Sequence, residues 1–216
     1  MPGQADTGGG RRRPTATDVV LLIAVAVAFA DSSIVVLAVP EILADLDVDV
    51  DTASWVITAY NLAVTVAALL LLAVGRRLGA RVRAAVGFVT FGLASAGCAL
   101  ADSIGPLIAF RAVQGAAAAL VLVSALSLLG GRHAVRAWIL AATVGLAAGP
   151  ALGGLLTELF TWRSIFVVQA PLVAIGLVAL RSQATVLPRQ PARRARHAWL
   201  ADVVLAALSA ALVGAA

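Results

Sequence analysis

The chain has 216 residues, of which 62% are hydrophobic and only 12% are charged. A soluble domain carries about twice that share of charged residues, so the composition excludes an ordinary soluble protein and indicates a membrane protein. The net charge is +5. The sequence has a single cysteine, so an intramolecular disulfide framework is excluded.

Apolar runs along the chain predict membrane-spanning helices. A helix needs about 20 apolar residues to cross a hydrocarbon core about 30 Å thick. The predicted spans are residues 19–40, 53–75, 84–101, 104–129, 137–157 and 163–180. The sequence therefore predicts an all-α polytopic membrane protein. Its expected parts are a cytoplasmic tail at 1–18, a six-helix lobe at 19–181, a cytoplasmic linker at 182–198 and a seventh helix, partial or complete, at 199–216.

The basic residues indicate how the helices are oriented. All sixteen are arginine, and most fall at alternate ends of the predicted spans. Those on one side are Arg11, Arg12, Arg13, Arg76, Arg77, Arg81, Arg83, Arg132, Arg136, Arg181, Arg189, Arg193, Arg194 and Arg196. Because cytoplasmic loops are enriched in basic residues, we expect the N-terminus in the cytoplasm and the chain in the plasma membrane. The expected contact of these arginines is membrane lipid, not nucleic acid.

Two ionisable residues fall inside the predicted spans, where charges are costly and are candidates for function. With a rise of about 1.5 Å per residue, Asp31 lies about 14 Å below Pro40 and Arg111 about 10 Å below the start of the fourth span. The two charges therefore share a depth. One interpretation is a structural ion pair, or an Arg111 that reaches outward to water. The other is that both face a wet cavity, where a carboxylate beside a cation can exchange a proton.

Polar residues form a stripe along the second span. Ser54, Thr58, Asn61 and Thr65 follow one another at intervals of four, three and four residues, which places them on one helical face. Hydroxyls can bond to a carbonyl of their own helix, so serine and threonine alone are weak indicators. Asn61 cannot be satisfied so easily and lies at about the depth of Asp31, which favours a polar cavity at this level.

The remaining polar residues offer less chemistry. Gln114 lies three residues after Arg111 and extends the same helical face, and Gln169 is a further candidate in the sixth span. His133 and His197 both fall in predicted loops, so neither a metal site nor a catalytic triad can be assembled. We therefore expect no metal, no cofactor and no enzyme activity.

The fifth predicted span contains residues that weaken a helix. Gly145, Gly149 and Gly153 recur every four residues and form a face without side chains, against which another backbone can pack closely. Pro150 removes the hydrogen bond to the carbonyl of Leu146 and bends the helix. These features suit a static contact and a moving interface equally well.

Five segments resemble the motifs of one transporter family, in the same order and on the corresponding spans. They are DSSIVVLAVP from Asp31 to Pro40, WVITAYNL from Trp55 to Leu62, RAVQG from Arg111 to Gly115, GLAAGPALGG from Gly145 to Gly154 and WRSIFVVQAP from Trp162 to Pro171. They are similar to motifs of the major facilitator superfamily, and within it of the fourteen-helix drug:proton antiporters. Val36 and Gln169 stand where that family usually has asparagine.

The resemblance implies the N-terminal lobe of a proton-coupled efflux transporter, built from two inverted three-helix repeats. It implies proton coupling at Asp31 and Arg111, and efflux of hydrophobic or cationic small molecules such as drugs by alternating access. The implied lining of the substrate cavity is Thr58, Tyr60, Asn61, Thr65, Gln114 and Gln169. In the family, the segment with Gly145, Gly149, Pro150, Gly153 and Gly154 is the antiporter motif. The resemblance thus favours a moving interface for that helix.

Two departures from the family pattern limit these expectations. The gating loop between spans two and three corresponds to Arg76, Arg77, Gly79 and Arg81, with Arg76 where the family has an aspartate and Leu72 where it has a glycine. That aspartate helps to latch the gate, so the reversed charge argues against normal gating. The chain also supplies one lobe where family members have two. The alternatives are a transport-inactive fragment, a half-transporter that pairs with itself or with a separate second lobe, and a membrane assembly or signalling protein.

Overall fold

The computed structural model describes residues 15–74 and 79–183. The helices in these ranges are α1 (Ala16–Ile34), α2 (Val39–Leu46), α3 (Val50–Val74), α4 (Ala80–Ala99), α5 (Ile104–Leu129), α6 (Gly131–Leu159), α7 (Ser164–Val167) and α8 (Ala170–Gln183). A 3-10 segment, Val35–Ala38, joins α1 to α2, and the described ranges contain no strand. The prediction of an all-α protein is confirmed. Most of the predicted tail and linker and all of the predicted seventh helix lie outside the described residues.

Five segments of the described residues are long and apolar enough to cross a membrane. They are Ala16–Leu46, Val50–Ala73, Ala80–Ala99, Ile104–Leu129 and Ala134–Leu159. Each overlaps one of the first five predicted spans. Their lengths of 20 to 31 residues reach or exceed the roughly 20 residues that a bilayer requires.

The sequence predicted that the first span ends at Pro40, but the helical segment continues beyond this residue. Thr15 begins α1 with a capping box, in which its hydroxyl accepts from the Asp18 N–H and the Asp18 carboxylate accepts from the Thr15 N–H. Pro40 lies in the first turn of α2, where a missing N–H is tolerated, directly after the tighter 3-10 segment. The span therefore continues to Leu46 and stops at Asp47, whose φ of 50° is left-handed.

A helix cap fixes the start of α3. The Thr52 N–H donates a hydrogen bond of 2.7 Å to Oδ1 of Asp49. This backbone donor holds the pKa of the Asp49 carboxyl below its usual value. The carboxylate thus satisfies an N–H that would otherwise have no partner at the helix start.

The sixth predicted span is interrupted. α7 ends at Val167 and α8 begins at Ala170, with Val168 and Gln169 in a turn between them. Pro171 has no N–H, so the carbonyl of Val167 would lack its partner in a continuous helix. The expectation of one unbroken helix over 163–180 is therefore wrong, and the break falls at Gln169.

The bundle is arranged around α5. This helix packs against α3 and α4, while α1 packs against α6, and both α1 and α4 contact α8. Along α1, α4 and α5, polar residues separate two apolar clusters. The first cluster includes Leu21, Val25, Phe29, Phe91, Leu122 and Trp138. The second includes Val35, Ile42, Cys98, Leu107, Trp162 and Phe166.

The glycine face of α6 lies against the backbone of α1. A Cβ at Gly145 would overlap the carbonyl oxygen of Ala26, and one at Gly153 would overlap that of Ile34. Residues without side chains are therefore required for this close approach. The partner of the face is a helix of the same lobe.

Pro150 creates a second link between these two helices. The Leu146 carbonyl, which has no N–H partner at Pro150, accepts a hydrogen bond of 3.1 Å from the Ser33 hydroxyl. The same hydroxyl lies 3.1 Å from the carbonyl of Ala30. A Cβ at Gly149 would occupy the space of the Ser33 oxygen. Gly149 and Pro150 together therefore make a polar contact between α1 and α6.

Alanine substitution at two adjacent glycines is expected to separate the effect of packing from that of helix propensity. Gly153→Ala places a Cβ on the carbonyl of Ile34, and we expect it to lower the free energy of unfolding by about 1–3 kcal/mol. Gly154→Ala meets only the end of the Leu37 side chain at 3.2 Å and should be neutral or slightly stabilising. Unfolding in detergent compares the two variants. Equal stabilities would contradict the close packing of α1 on α6.

Candidate functional site

A buried ion pair links α1 to α5. Nη1 of Arg111 lies 2.5 Å from Oδ2 of Asp31, and neither side chain is exposed. The two charges that the sequence places at one depth are thus in contact inside the bundle. In this conformation they are sealed from water and do not face an open cavity.

The Arg111 guanidinium is held on several sides. It donates from Nη1 to Oε1 of Gln114 at 2.7 Å, from Nε to the carbonyl of Val56 at 3.2 Å, and from Nη2 to the carbonyl of Asp31 at 3.3 Å. With the ion pair, four of its five N–H groups have acceptors. Its Cζ lies 4.2 Å from the centre of the Tyr60 ring, a cation–π contact. The planar, forked shape of arginine is therefore used in full.

Two glutamines connect the guanidinium to the carboxylate by a second route. Nε2 of Gln114 donates to Oε1 of Gln169 at 2.7 Å, and Nε2 of Gln169 donates to Oδ1 of Asp31 at 2.5 Å. The Ser95 hydroxyl lies beside both amides, 2.8 Å from Nε2 of Gln114 and 2.9 Å from Oε1 of Gln169. We call Asp31, Arg111, Gln114 and Gln169 the polar ring. It joins α1 and α5 to the break between α7 and α8.

Three of the predicted cavity residues are buried in or beside the polar ring. Tyr60, Gln114 and Gln169 are each less than 5% exposed. The Tyr60 hydroxyl donates to the carbonyl of Ala28 at 2.7 Å, so it is satisfied within the bundle. Next to Gln169 lies a cavity of about 20 Å³ whose other lining residues are apolar, which is room for about one water molecule.

The other three predicted cavity residues lie along α3, and none of them is among the hydrogen-bond partners of Asp31 or Arg111 given above. Thr58 is exposed and Thr65 is half-buried, and each hydroxyl donates to a carbonyl of α3 itself. Asn61 is only 5% exposed, and its Nδ2 has no hydrogen-bond partner. A buried polar group without a partner costs about 1–3 kcal/mol. Asn61 is therefore the residue of this stripe that needs water or a ligand.

The predicted gating loop is only partly described. Arg76 and Arg77 lie outside the described residues. Gly79 immediately precedes α4, with open space where a Cβ would lie, and Arg81 lies in the first turn of that helix. Among the described residues, nothing comes within 4 Å of a Cβ at position 79, so they impose no steric requirement for glycine there.

A second ion pair lies at the end of the bundle that carries α2. Nη1 of Arg163 is 2.5 Å from Oδ2 of Asp45, which also accepts from Nε1 of Trp162 at 3.0 Å. Nη2 of Arg163 donates to the carbonyl of Ala101 at 3.1 Å. Both charged side chains are partly exposed, so water screens the pair and it contributes little to stability. The pair joins α2 to the α4–α5 and α6–α7 connections.

Ser95 was not among the predicted site residues. It lies six residues before Ala101, or about 9 Å along the helix. That depth matches the depth of Arg111 below the start of the fourth span. A depth comparison extended to every polar residue of the spans would have found Ser95. Its contact with Gln169 would still have been missed, because the rotation of α4 is not readable from one serine.

The polar ring surrounds the carboxylate of Asp31 with hydrogen-bond donors. Within residues 15–74 and 79–183, no three histidine, cysteine or acidic side chains are arranged to hold a metal ion. The site's chemistry is therefore that of one carboxylate, one fixed cation and two amides.

Comparison with known proteins places the sequence among transporters. The profile of the Major Facilitator Superfamily matches residues 21–216. An uncharacterized MFS-type transporter of Mycobacterium tuberculosis is 36% identical over 76% of this chain and 29% of its own length. The tetracenomycin C resistance and export protein of Streptomyces glaucescens is 34% identical over 87% and 36%. The methylenomycin A resistance protein of Streptomyces coelicolor is 35% identical over 97% and 46%. The chain thus spans less than half the length of these relatives.

Proposed function

The chain belongs to the Major Facilitator Superfamily, and from that premise we propose that it forms the N-terminal lobe of a proton-coupled efflux transporter for hydrophobic or cationic small molecules. The chain is an integral membrane protein, with five described segments able to span a bilayer. We place it in the plasma membrane with its N-terminus in the cytoplasm, because the arginines cluster at that end of the spans.

The sealed Asp31–Arg111 pair is the observation that carries this proposal. A carboxylate at membrane depth is expensive, and here its charge is neutralised by one guanidinium in a buried polar layer between two apolar clusters. A proton on Asp31 would remove that neutralisation and weaken the closed packing. Exchange follows when proton and substrate exclude each other in a site that opens alternately to the two sides.

The proposed substrate site lies beside this pair. We assign Thr58, Asn61 and Thr65 of α3 to its surface, together with Tyr60, Gln114 and Gln169 once the ring opens. The names of two relatives support small organic substrates, since they refer to resistance to tetracenomycin C and methylenomycin A. Apolar surfaces with few polar anchors tolerate many ligands, so the proposal is limited to a chemical class.

A second lobe is part of the proposal. The chain covers 29–46% of the length of the relatives compared above, and family sites lie between two lobes. We propose that a second lobe pairs with this one across the substrate site. We propose that α1 and α6 slide against each other within this lobe during the transport cycle, and that this is the role of Gly145, Gly149, Pro150, Gly153 and Gly154.

Flux in liposomes tests the proposed function. Liposomes with an acidic interior and this chain in the membrane should accumulate the lipophilic cation tetraphenylphosphonium while losing internal protons. The same assay is run with the chain joined to the second lobe of the Streptomyces coelicolor relative. Flux only in the joined protein would identify the chain as a half-transporter. The absence of proton-linked flux in both preparations would reject the proposal.

Asn61→Leu is expected to raise stability and to reduce substrate binding. Removing a buried amide whose Nδ2 has no partner should raise the free energy of unfolding by about 1–2 kcal/mol. Because we propose that this nitrogen meets water or substrate in the open site, affinity for tetraphenylphosphonium should fall several-fold. Thr65→Val, which removes a hydroxyl already bonded to its own helix, is the matched control. Unchanged affinity in Asn61→Leu would remove Asn61 from the proposed site.

A further inference from the structure

The side chains of the polar ring have only one consistent orientation while Asp31 is ionised. A guanidinium can only donate hydrogen bonds, so Gln114 must present its oxygen to Arg111. The nitrogen of Gln114 then faces the oxygen of Gln169, and the nitrogen of Gln169 faces the carboxylate. The donors therefore run in one direction around the ring, from the guanidinium to the carboxylate.

A protonated Asp31 fits this ring less well. A proton taken from water onto Oδ1 makes that oxygen a hydroxyl, which accepts the hydrogen bond from the nitrogen of Gln169 more weakly than a carboxylate oxygen does. If the Gln169 amide turned over, its nitrogen would face the nitrogen of Gln114. If both amides turned over, the nitrogen of Gln114 would face the guanidinium of Arg111. A proton on Oδ2 would meet the guanidinium directly. Every position of the proton removes the charge that strengthens these hydrogen bonds, so the closed ring favours the ionised carboxylate.

Gln169 is also the member of the ring on the weakest backbone. It occupies the turn between α7 and α8, and its own N–H bonds only to the carbonyl of Phe166, at 3.3 Å. A cavity of about 20 Å³ adjoins its side chain. Broken helices supply the hinges of many conformational changes because few backbone bonds are lost when they move.

We propose that Gln169 is a positioning residue that makes the closed packing of the bundle specific for ionised Asp31, so that proton binding releases the break between α7 and α8. This inference rests on the proposed role of Asp31 as the proton carrier. One proton enters from water, converts the carboxylate to a carboxyl group and returns to water when the ring closes. Gln169 thus couples the charge of Asp31 to the position of the break between α7 and α8.

None of the groups that face Asp31 changes its protonation between pH 8 and pH 4, so an effect of pH in this range can be assigned to Asp31. Arg111 faces it from α5, Tyr60 from α3 and Cys98 from α4, while α6 brings a glycine and the α7–α8 break an amide to this level. Arginine, tyrosine and cysteine already hold their protons below neutral pH. A change in conformation between pH 8 and pH 4 that is lost when Asp31 is replaced is therefore due to protonation of the Asp31 carboxylate.

Cys98 provides a built-in reporter of ring opening. It is the only cysteine of the chain, it is fully buried, and its Sγ lies 3.8 Å from Oε1 of Gln114. The experiment measures labelling of Cys98 by a membrane-permeant maleimide in liposomes containing the full chain, at pH 4 and at pH 8. Each rate is divided by the rate of the denatured chain at the same pH. No substrate or flux is needed, so the result is independent of whether the chain transports.

Unchanged protein should label faster at pH 4 than at pH 8, and Asp31→Asn should label at similar normalised rates at both. Gln169→Met keeps the side-chain length but removes the donor to Oδ1, so the ratio of the two rates should fall to about one. Ser95→Ala, which removes a neighbour of Gln169 that does not bond to Asp31, should keep the original ratio. A purely structural role predicts that Gln169→Met raises both rates equally. An unchanged ratio in Gln169→Met, or no pH effect in the unchanged protein, would overturn the proposal.

Discussion

Asp31→Asn is expected to abolish proton-driven efflux while the chain still inserts into the membrane. An amide has nearly the same size as the carboxylate and can still accept hydrogen bonds, but it cannot bind and release a proton. The variant also leaves Arg111 buried without a counter-charge, so we expect the free energy of unfolding to fall by about 3–5 kcal/mol. Flux of tetraphenylphosphonium against protons and unfolding in detergent measure the two effects separately.

Two controls make this result specific. Asp45→Asn removes another carboxylate of the same spanning segment, one that pairs with Arg163 at the end of the bundle, and it should leave coupling intact. Asp31→Asn combined with Arg111→Gln removes both buried charges and should recover much of the lost stability without recovering coupling. Proton-linked flux that persists in Asp31→Asn would exclude Asp31 from the site.

Arg111→Lys is expected to reduce coupling by at least about tenfold although the positive charge is kept. An ammonium group can pair with Asp31, but it cannot also reach Gln114 and the carbonyl of Val56 from one plane. Without the N–H that fixes Gln114, the amides of the polar ring lose their single orientation. The ratio of protons to substrate moved in liposomes is the measurement.

Arg163→Lys is the matched control for that prediction. This arginine also pairs with a carboxylate, Asp45, but it is partly exposed and distant from the polar ring. Its replacement should change stability little and leave coupling unchanged. Normal coupling in Arg111→Lys would favour the other interpretation, in which Asp31 and Arg111 form a structural ion pair only.

The depth of the buried ion pair and the glycine face of α6 could both be predicted from the spacing of residues along the sequence. The pairing of Asp31 with Arg111 follows from counting residues inward from the ends of two spans, because helices have a fixed rise. The glycine face of α6 follows from a repeat of four residues. In both cases one-dimensional spacing determines a depth or a face, which are properties of a single helix.

The parts that could not be predicted depend on how helices meet. Periodicity shows that Gly145, Gly149 and Gly153 share a face but not that α1 covers it. The polar stripe of α3 was predicted as one surface, yet Asn61 is buried while Thr58 is exposed. Helix rotation decides such differences, and an almost uniformly apolar sequence carries little information about rotation.

The break at Gln169 is an intermediate case. Pro171 could have indicated a weak point in the sixth span, because it removes one backbone bond, but the span predicted from the sequence took no account of it. Composition alone favoured a continuous helix, since the run is apolar on both sides of the proline. The consequence for the site, a glutamine directed at Asp31, required the three-dimensional packing of α7 and α8 against α1 and α4.

Counting protons released on substrate binding is the most direct test of coupling at Asp31. The assembly that transports in liposomes is purified in detergent, tetraphenylphosphonium is added at constant pH, and released protons are recorded with an indicator dye. We expect proton release with the unchanged chain and with Asp45→Asn, and none with Asp31→Asn. Equal release from Asp31→Asn and the unchanged chain would show that another group carries the proton and would contradict the proposed mechanism.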